Sequence, residues 1–170
     1  MQTIETPVTK LTITDAKNVS DPIHVIFEDI QKGVGLVTIT NYGKAWVGFF
    51  QYSGSKCIRQ HFKNTRVESI YRRFTNEPKE VNDYEALGVL IKERISKKYI
   101  DEDNIEDLFE KTDELVEELQ DFTNETLIYY ENDLLNNHLG DEWYLTNLPQ
   151  KNSSLYRQIK NIILAIKEAI

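Results

Sequence analysis

The alternation of apolar and polar positions divides the chain near residue 52. Before that point the period is two. Leu11-Thr-Ile-Thr14 alternates as a half-buried strand does, and Ile23-His-Val-Ile-Phe-Glu28 follows after the turn-forming run Asn18–Pro22. Gln31-Lys-Gly-Val-Gly35 reads as a hairpin loop and Leu36–Thr40 as a third strand. Asn41-Tyr-Gly-Lys44 makes a tight connection to a fourth strand over Ala45–Tyr52. Connections this short join antiparallel neighbours, so the four strands predict a meander. Gly48 inside the last strand marks a bulge or a close backbone approach.

Beyond Ser53 the period becomes helical. Ser55 is placed to cap a helix carrying Cys57, Ile58, His61 and Phe62, and Val67, Ile70, Tyr71 and Phe74 form a second stripe ended by Asn76-Glu-Pro78. Asp83 caps a third helix with Leu87, Leu90, Ile91, Ile95 and Tyr99 on one side. Gly88 costs that helix about 1 kcal/mol relative to Ala and points to a close approach to the sheet. From Asp101 to Phe122 the apolar positions are Ile105, Leu108, Thr112, Leu115, Leu119 and Phe122, at alternating steps of 3 and 4. Asn124 is the cap for a further helix over Thr126–Leu139, with Leu127, Tyr130, Leu134 and Leu135 inward and Gly140 as its stop. Asp141–Pro149 reads as an aromatic-rich loop, expected to be packed rather than mobile. Ser153 or Ser154 caps a closing helix whose apolar face is Tyr156, Ile159, Ile162, Ile163 and Ile166.

These elements predict an α+β fold, an N-terminal four-stranded antiparallel sheet packed against a C-terminal layer of four to five helices. One domain spans 1–170: the sheet over 1–52, a basic helical segment over 53–100, acidic helices over 101–142, and a closing loop and helix over 143–170. Composition agrees with a packed core, since 40% of the 170 residues are hydrophobic and 11% aromatic. A lone cysteine excludes a disulfide framework and a Cys-based zinc site. No run approaches the roughly 20 apolar residues of a membrane helix, and Met1–Thr6 has neither the basic nor the apolar part of a signal peptide. With one thiol and no export signal, the expectation is a protein of a reducing cytoplasm with no membrane contact.

Charge changes the picture more than composition does. The net charge is −8, but residues 1–100 carry 15 Lys/Arg against 11 Asp/Glu, a net of +4. Residues 101–142 carry 16 Asp/Glu against Lys111 alone, a net of −15, and residues 143–170 carry 4 against 1, a net of +3. Within the acidic quarter, Asp103, Asp107, Glu110, Glu114, Glu117 and Asp121 form a second stripe, roughly 150° around the helix from the apolar one at about 100° per residue. Six carboxylates over about 27 Å of axis approach the charge density of one nucleic-acid strand, about one per 3.4 Å. Such a row is suited to the Lys/Arg groove of a nucleic-acid-handling protein, where counterion release and steering favour docking. The bland alternative is a solvated face that keeps the protein soluble.

Other chemistry is weaker. Lys56, Arg59, Lys63, Arg66, Arg72 and Arg73, interleaved with Phe62, Tyr71 and Phe74, have the composition of a nucleic-acid patch. The same residues also suit a counter-surface for the acidic helix, and the −15 block opposes direct nucleic-acid binding. His24, His61 and His138 lie on separate elements, so no metal-ligand spacing recurs and neither a metal nor a cofactor is expected. Cys57 and His61 stand at i, i+4, as a nucleophile–base pair would, but equally as a small buried side chain beside a surface imidazole. A carboxylate-dependent enzyme using His61 or His138 is the third reading, with no catalytic residue assigned.

Several stretches carry a resemblance. Leu11-Thr-Ile-Thr-Asp15, Asp21-Pro-Ile-His-Val-Ile-Phe-Glu-Asp29, Gly35–Trp46, Gly54, Ile58-x-x-x-Phe62, Gly140-Asp-Glu-Trp143 and Leu148-Pro149 resemble small acidic accessory proteins of tailed phages and prophages. The resemblance carries no activity or catalytic residue with it. It implies a setting, a phage-encoded protein acting inside the host cell. Small acidic phage proteins often disarm host nucleases or CRISPR and restriction complexes, so the expectation is a non-enzymatic anti-CRISPR or anti-restriction inhibitor whose acidic helix mimics DNA. Its partner would be a basic host protein or ribonucleoprotein complex; nothing in the chain sets the oligomeric state.

Overall fold

Turn chemistry and period-two patterning build the N-terminal meander. In the computed structural model, which describes residues 3, 7–99, 105–122, 132–140, 143 and 148–170, β1 (Val8–Ile13), β2 (Ile23–Gln31), β3 (Val34–Asn41) and β4 (Lys44–Gln51) form an antiparallel sheet in the order β1-β2-β3-β4. Alternation places Ile23, Val25, Phe27, Val37, Ile39, Trp46 and Phe50 on one buried face. The β3–β4 connection is a two-residue turn with Tyr42 at φ 48° and Gly43 at φ 70°, the left-handed pair whose twist suits a hairpin. Gly35 belongs to β3 rather than to a loop, because the β2–β3 hairpin closes at Lys32-Gly33 and a register shift between Asp29 and Gln31 absorbs the extra residue. At Gly48 the register with Val37 is regular, so this glycine serves close approach and not a bulge: a Cβ there would lie 2.9 Å from the Phe74 ring.

Two short strands follow the sheet, β5 (Glu80–Asn82) and β6 (Gln150–Asn152), which pair with each other. The described helices are α1 (Ile58–Asn64), α2 (Val67–Phe74), α3 (Tyr84–Lys98), α4 (Ile105–Leu119), α5 (Asp133–Leu139) and α6 (Ser154–Ala169). The fold is α+β, and the chain gathers into two compact units, Met1–Lys79 with Asn152–Ile170, and Glu80–Lys151. In the first, α1, α2 and α6 cover the buried face of the sheet. Ile58, Phe62, Ile70, Tyr71, Tyr156, Ile159, Ile162, Ile163 and Ile166 share one core with the strands. Five of these are the predicted face of α6, capped by Ser153, whose Oγ accepts from the Tyr156 N–H at 3.1 Å.

The second unit is helical. Its core joins Tyr84, Leu87, Ile91 and Ile95 of α3, Leu115 and Leu119 of α4, Leu135 of α5, and Trp143. Asp83 caps α3 as the sequence predicts, accepting from the Ala86 N–H at 3.2 Å. Gly88 admits α4 and not the sheet: a Cβ there would meet Val116 Cγ2 at 2.7 Å. Helix α5 begins later than predicted, with Asn132 as its cap, accepting from the Leu134 N–H at 3.0 Å. Asn124, Leu127 and Tyr130 of the predicted helix lie outside the described residues. Gly140 ends α5 at φ 97°, its N–H bonded to the Asn136 carbonyl at 3.0 Å.

Ser55 does not cap α1. The first residue of the helix, Ile58, donates its N–H instead to Asp29 Oδ1 at 2.7 Å. A carboxylate delivered from β2 beside the register shift thus does the work that a local serine would do.

Filling the α3–α4 contact tests the helical unit. Replacement Gly88→Val drives a branched side chain into Val116, and overpacking of this kind costs about 1–3 kcal/mol. Urea unfolding should show that loss. An unchanged midpoint would mean that α4 does not seat on Gly88.

Candidate functional site

The acidic face is the surface of α4 left over once its apolar stripe is buried. Thr112, Leu115 and Leu119 are buried, with Ile105, Leu108 and Val116 packed against the same core. The buried Thr112 hydroxyl is satisfied within the helix, donating to the Leu108 carbonyl at 2.7 Å. On the opposite side Asp107, Glu110, Glu114, Glu117 and Asp121 are all exposed, as the two-stripe pattern predicts. Asp103 lies outside the described residues. Four of the five stand on α4 itself, from Asp107 to Glu117, about 15 Å of axis at 1.5 Å per residue.

Asp121 is placed differently from the prediction. The α-helix ends at Leu119, and the next residues close i→i+3 bonds, Gln120 to Glu117 at 3.3 Å and Asp121 to Glu118 at 3.3 Å. The last turn carries no basic residue, and Glu117 and Glu118 add negative charge where the helix dipole is already negative. Asp121 therefore extends the row from a turn, not along the same straight line.

One lysine reaches α4 from a neighbouring helix. Lys92 of α3 pairs with Asp113 at 2.6 Å and lies over the Phe109 ring at 5.6 Å. Asp113 sits at the flank of the row, so this pair fastens α3 to α4 and leaves the row's own carboxylates unpaired with it.

Between α4 and α5 lies a cleft of about 720 Å³, lined by Tyr99, Lys111, Glu114, Glu118, Asn132 and His138 among others. Glu114 of the row and His138 both line it, which spacing in the sequence does not reveal. Burial, then the charges of Lys98 and Arg94, holds the His138 imidazole below its ordinary value of 6.5, so it is neutral at pH 7. Arg94 also donates to the His138 backbone carbonyl. Among the described residues no group of three His, Cys, Asp or Glu side chains is placed to hold a metal ion.

The basic residues occupy the other unit. Lys56, Arg59, Lys63, Arg66, Arg72 and Arg73 are all exposed, on α1, α2 and their flanks. Lys63 donates to the Ile170 carbonyl. Cys57 and His61 meet through the backbone, His61 N–H to the Cys57 carbonyl at 3.1 Å. The His61 ring itself stacks on Tyr52 at 5.1 Å between centroids. Burial and then Arg73 hold His61 below 6.5 as well. The Tyr52 hydroxyl donates to Asp29, and burial, followed by that bond and the carboxylate's charge, raises Tyr52 to about 12. Asp29 thus ties β2 to Tyr52, just past the end of β4, and to the start of α1, a role that no local motif announces.

The charge asymmetry is sharper between the two units than along the chain. The sheet unit holds 14 Lys/Arg and 8 Asp/Glu, a net of +6, and the helical unit holds 6 and 20, a net of −14, which together make −8.

A family model described as a phage family matches residues 1–170. The chain belongs to that phage family. No curated protein and no solved structure matches it. Among the described residues of this phage protein, no helix is long and apolar enough to cross a membrane.

The two shifted imidazoles give a direct check on the site's electrostatics. A depressed histidine value means that the stability conferred by the neutral ring is present above 6.5 and is lost as pH falls through the lower folded value. Proton NMR titration should therefore place the midpoints of His61 and His138 below 6.5. A midpoint at or above 6.5 for His138 would mean that the ring is not desolvated beside Lys98 and Arg94.

Proposed function

We propose that this phage protein is a non-enzymatic binding protein that inhibits a host defence or nucleic-acid-handling complex, of the anti-CRISPR or anti-restriction type, by offering the acidic face of α4 to a basic groove. The observation that carries the reading is the exposed series Asp107, Glu110, Glu114, Glu117 and Asp121 on a helix whose other side is buried. A helix seated in a core holds its charges in fixed positions, so docking does not cost the entropy of ordering a flexible acidic tail. A spacing of three or four residues puts successive carboxylates about 4.5–6 Å apart along the axis, a repeat that basic side chains lining a nucleic-acid groove can follow. Membership of a phage family supplies a setting in which a basic host complex is a target.

A second reading rests on the sheet unit. Its net of +6 and the exposure of Lys56, Arg59, Lys63, Arg66, Arg72 and Arg73 favour contact with a nucleic-acid backbone.

Affinity capture from host lysate at 50 mM and 500 mM salt tests the first reading. Wild-type protein should retain a basic, nucleic-acid-handling complex at low salt and lose it at high salt, and the variant Glu110→Lys/Glu114→Lys/Glu117→Lys should reduce capture by at least tenfold. Capture that survives this reversal rejects the acidic face. A gel shift with DNA and RNA separates the second reading: retardation that disappears in Arg59→Glu/Lys63→Glu favours the basic segment instead.

A further inference from the structure

Glu114 and Glu118 are four residues apart on α4, so they stand one turn apart on the same face, with about 5–6 Å between their Cβ atoms. Both line the cleft of about 720 Å³ beside α5, and Asp133 lines it from the first turn of that helix. Among the described residues Lys111 is the only cationic side chain of the lining, against these three carboxylates. Glu118 stands in the last turn of α4, where the helix dipole is negative and no basic residue offsets it. Charge and dipole together favour a cation at this wall. The cleft has the size of pockets that enclose small ligands, roughly 300–1,000 Å³.

The lining also selects the kind of cation. Among the described residues no three His, Cys, Asp or Glu side chains are placed to close on one metal ion, so the carboxylates suit a group that spans them. An ammonium is compact and strongly hydrated, whereas a guanidinium is planar, presents five N–H donors to carboxylates and gives up its water more readily. Tyr99, in the same lining, has a ring that accepts a cation, since the Lys98 ammonium lies over it at 5.3 Å. Lys98 and Arg94 act on His138, which leaves the wall formed by Glu114 and Glu118 as the place for a further positive group.

We propose that the α4–α5 cleft receives one arginine side chain of a protein partner, its guanidinium bridging Glu114 and Glu118 with Asp133 on the α5 side. A guanidinium in that place relieves the like-charge contact between Glu114 and Glu118. The choice of a protein as its source rests on the binding reading given above. Glu114 belongs both to the cleft and to the exposed row, so a basic protein lying along α4 passes the mouth of the cleft. The two features then divide the work. The row steers the approach, and an arginine seated in a cleft is the kind of anchor that carries much of the energy of an interface.

Proton–nitrogen NMR on the full chain, titrated with N-acetyl-L-argininamide, tests the slot. The amide signals of Glu114, Glu118 and Asp133 should move together and saturate at millimolar ligand, and N-acetyl-L-lysinamide, of equal charge, should bind at least fivefold more weakly. Glu118→Gln and Asp133→Asn should each weaken the arginine amide at least threefold. Asn137→Arg, which supplies a guanidinium from the lining itself, should abolish binding, with circular dichroism confirming the fold of each variant. Equal affinity for the two amides, no saturating shift at these signals, or binding that survives all three variants overturns the proposal. So does free L-arginine binding more tightly than the blocked amide, which would mark a site for a small metabolite and not for a side chain. The titration needs no partner, and the three variants leave Glu110 and Glu117 in place. Saturable arginine binding without capture from lysate therefore removes the inhibitor reading alone, and capture without arginine binding removes the slot alone.

Discussion

The feature on which the rest depends is the seating of α4. Burying Leu115 and Leu119 contributes about 1.5–3 kcal/mol for each side chain, and Gly88 lets the helix come close to α3. Against this stand like-charge pairs along the opposite side, each costing a few tenths of a kcal/mol, together with acidic residues at the wrong end of the helix dipole. Burial exceeds repulsion, so the helix persists with its charges exposed. The α-helix stops at Leu119, and the chain then tightens into i→i+3 bonds.

Segregation of charge is the second organising fact. Basic side chains gather on the sheet unit and carboxylates on the helical one, +6 against −14. A net value of −8 conceals two surfaces of opposite sign, each suited to a different class of partner. That distribution is what makes a binding role the economical reading for this member of a phage family, and it gives each rival reading its own residues to mutate.

Much of the fold was legible in the sequence because the elements are locally consistent. Alternation and turn residues marked all four strands of the sheet, and the steps of three and four in α2, α3, α4 and α6 identified the positions that are buried. What was not legible is long-range. Ser55 looked like the cap of α1, but the acceptor is Asp29, far back in the chain. Gly88 announced a close approach without saying to what, and the answer is Val116. Periodicity shows which face of a helix is buried, not which neighbours bury it, so the gathering of elements into two units was invisible. Strands β5 and β6 are three residues each and mostly polar, too short for any period to register. The acidic face was legible because it is one side of one helix; the cleft lined by both Glu114 and His138 was not, because it needs two.

Neutralising part of the row measures the central claim most directly. If Glu110, Glu114 and Glu117 face solvent and repel one another, the variant Glu110→Gln/Glu114→Gln/Glu117→Gln should unfold at a higher urea midpoint than wild type at 20 mM salt, and the difference should vanish near 500 mM. A lower midpoint for the variant at low salt would show that these carboxylates are held by cations within the protein, and the acidic face would then not be available to a partner.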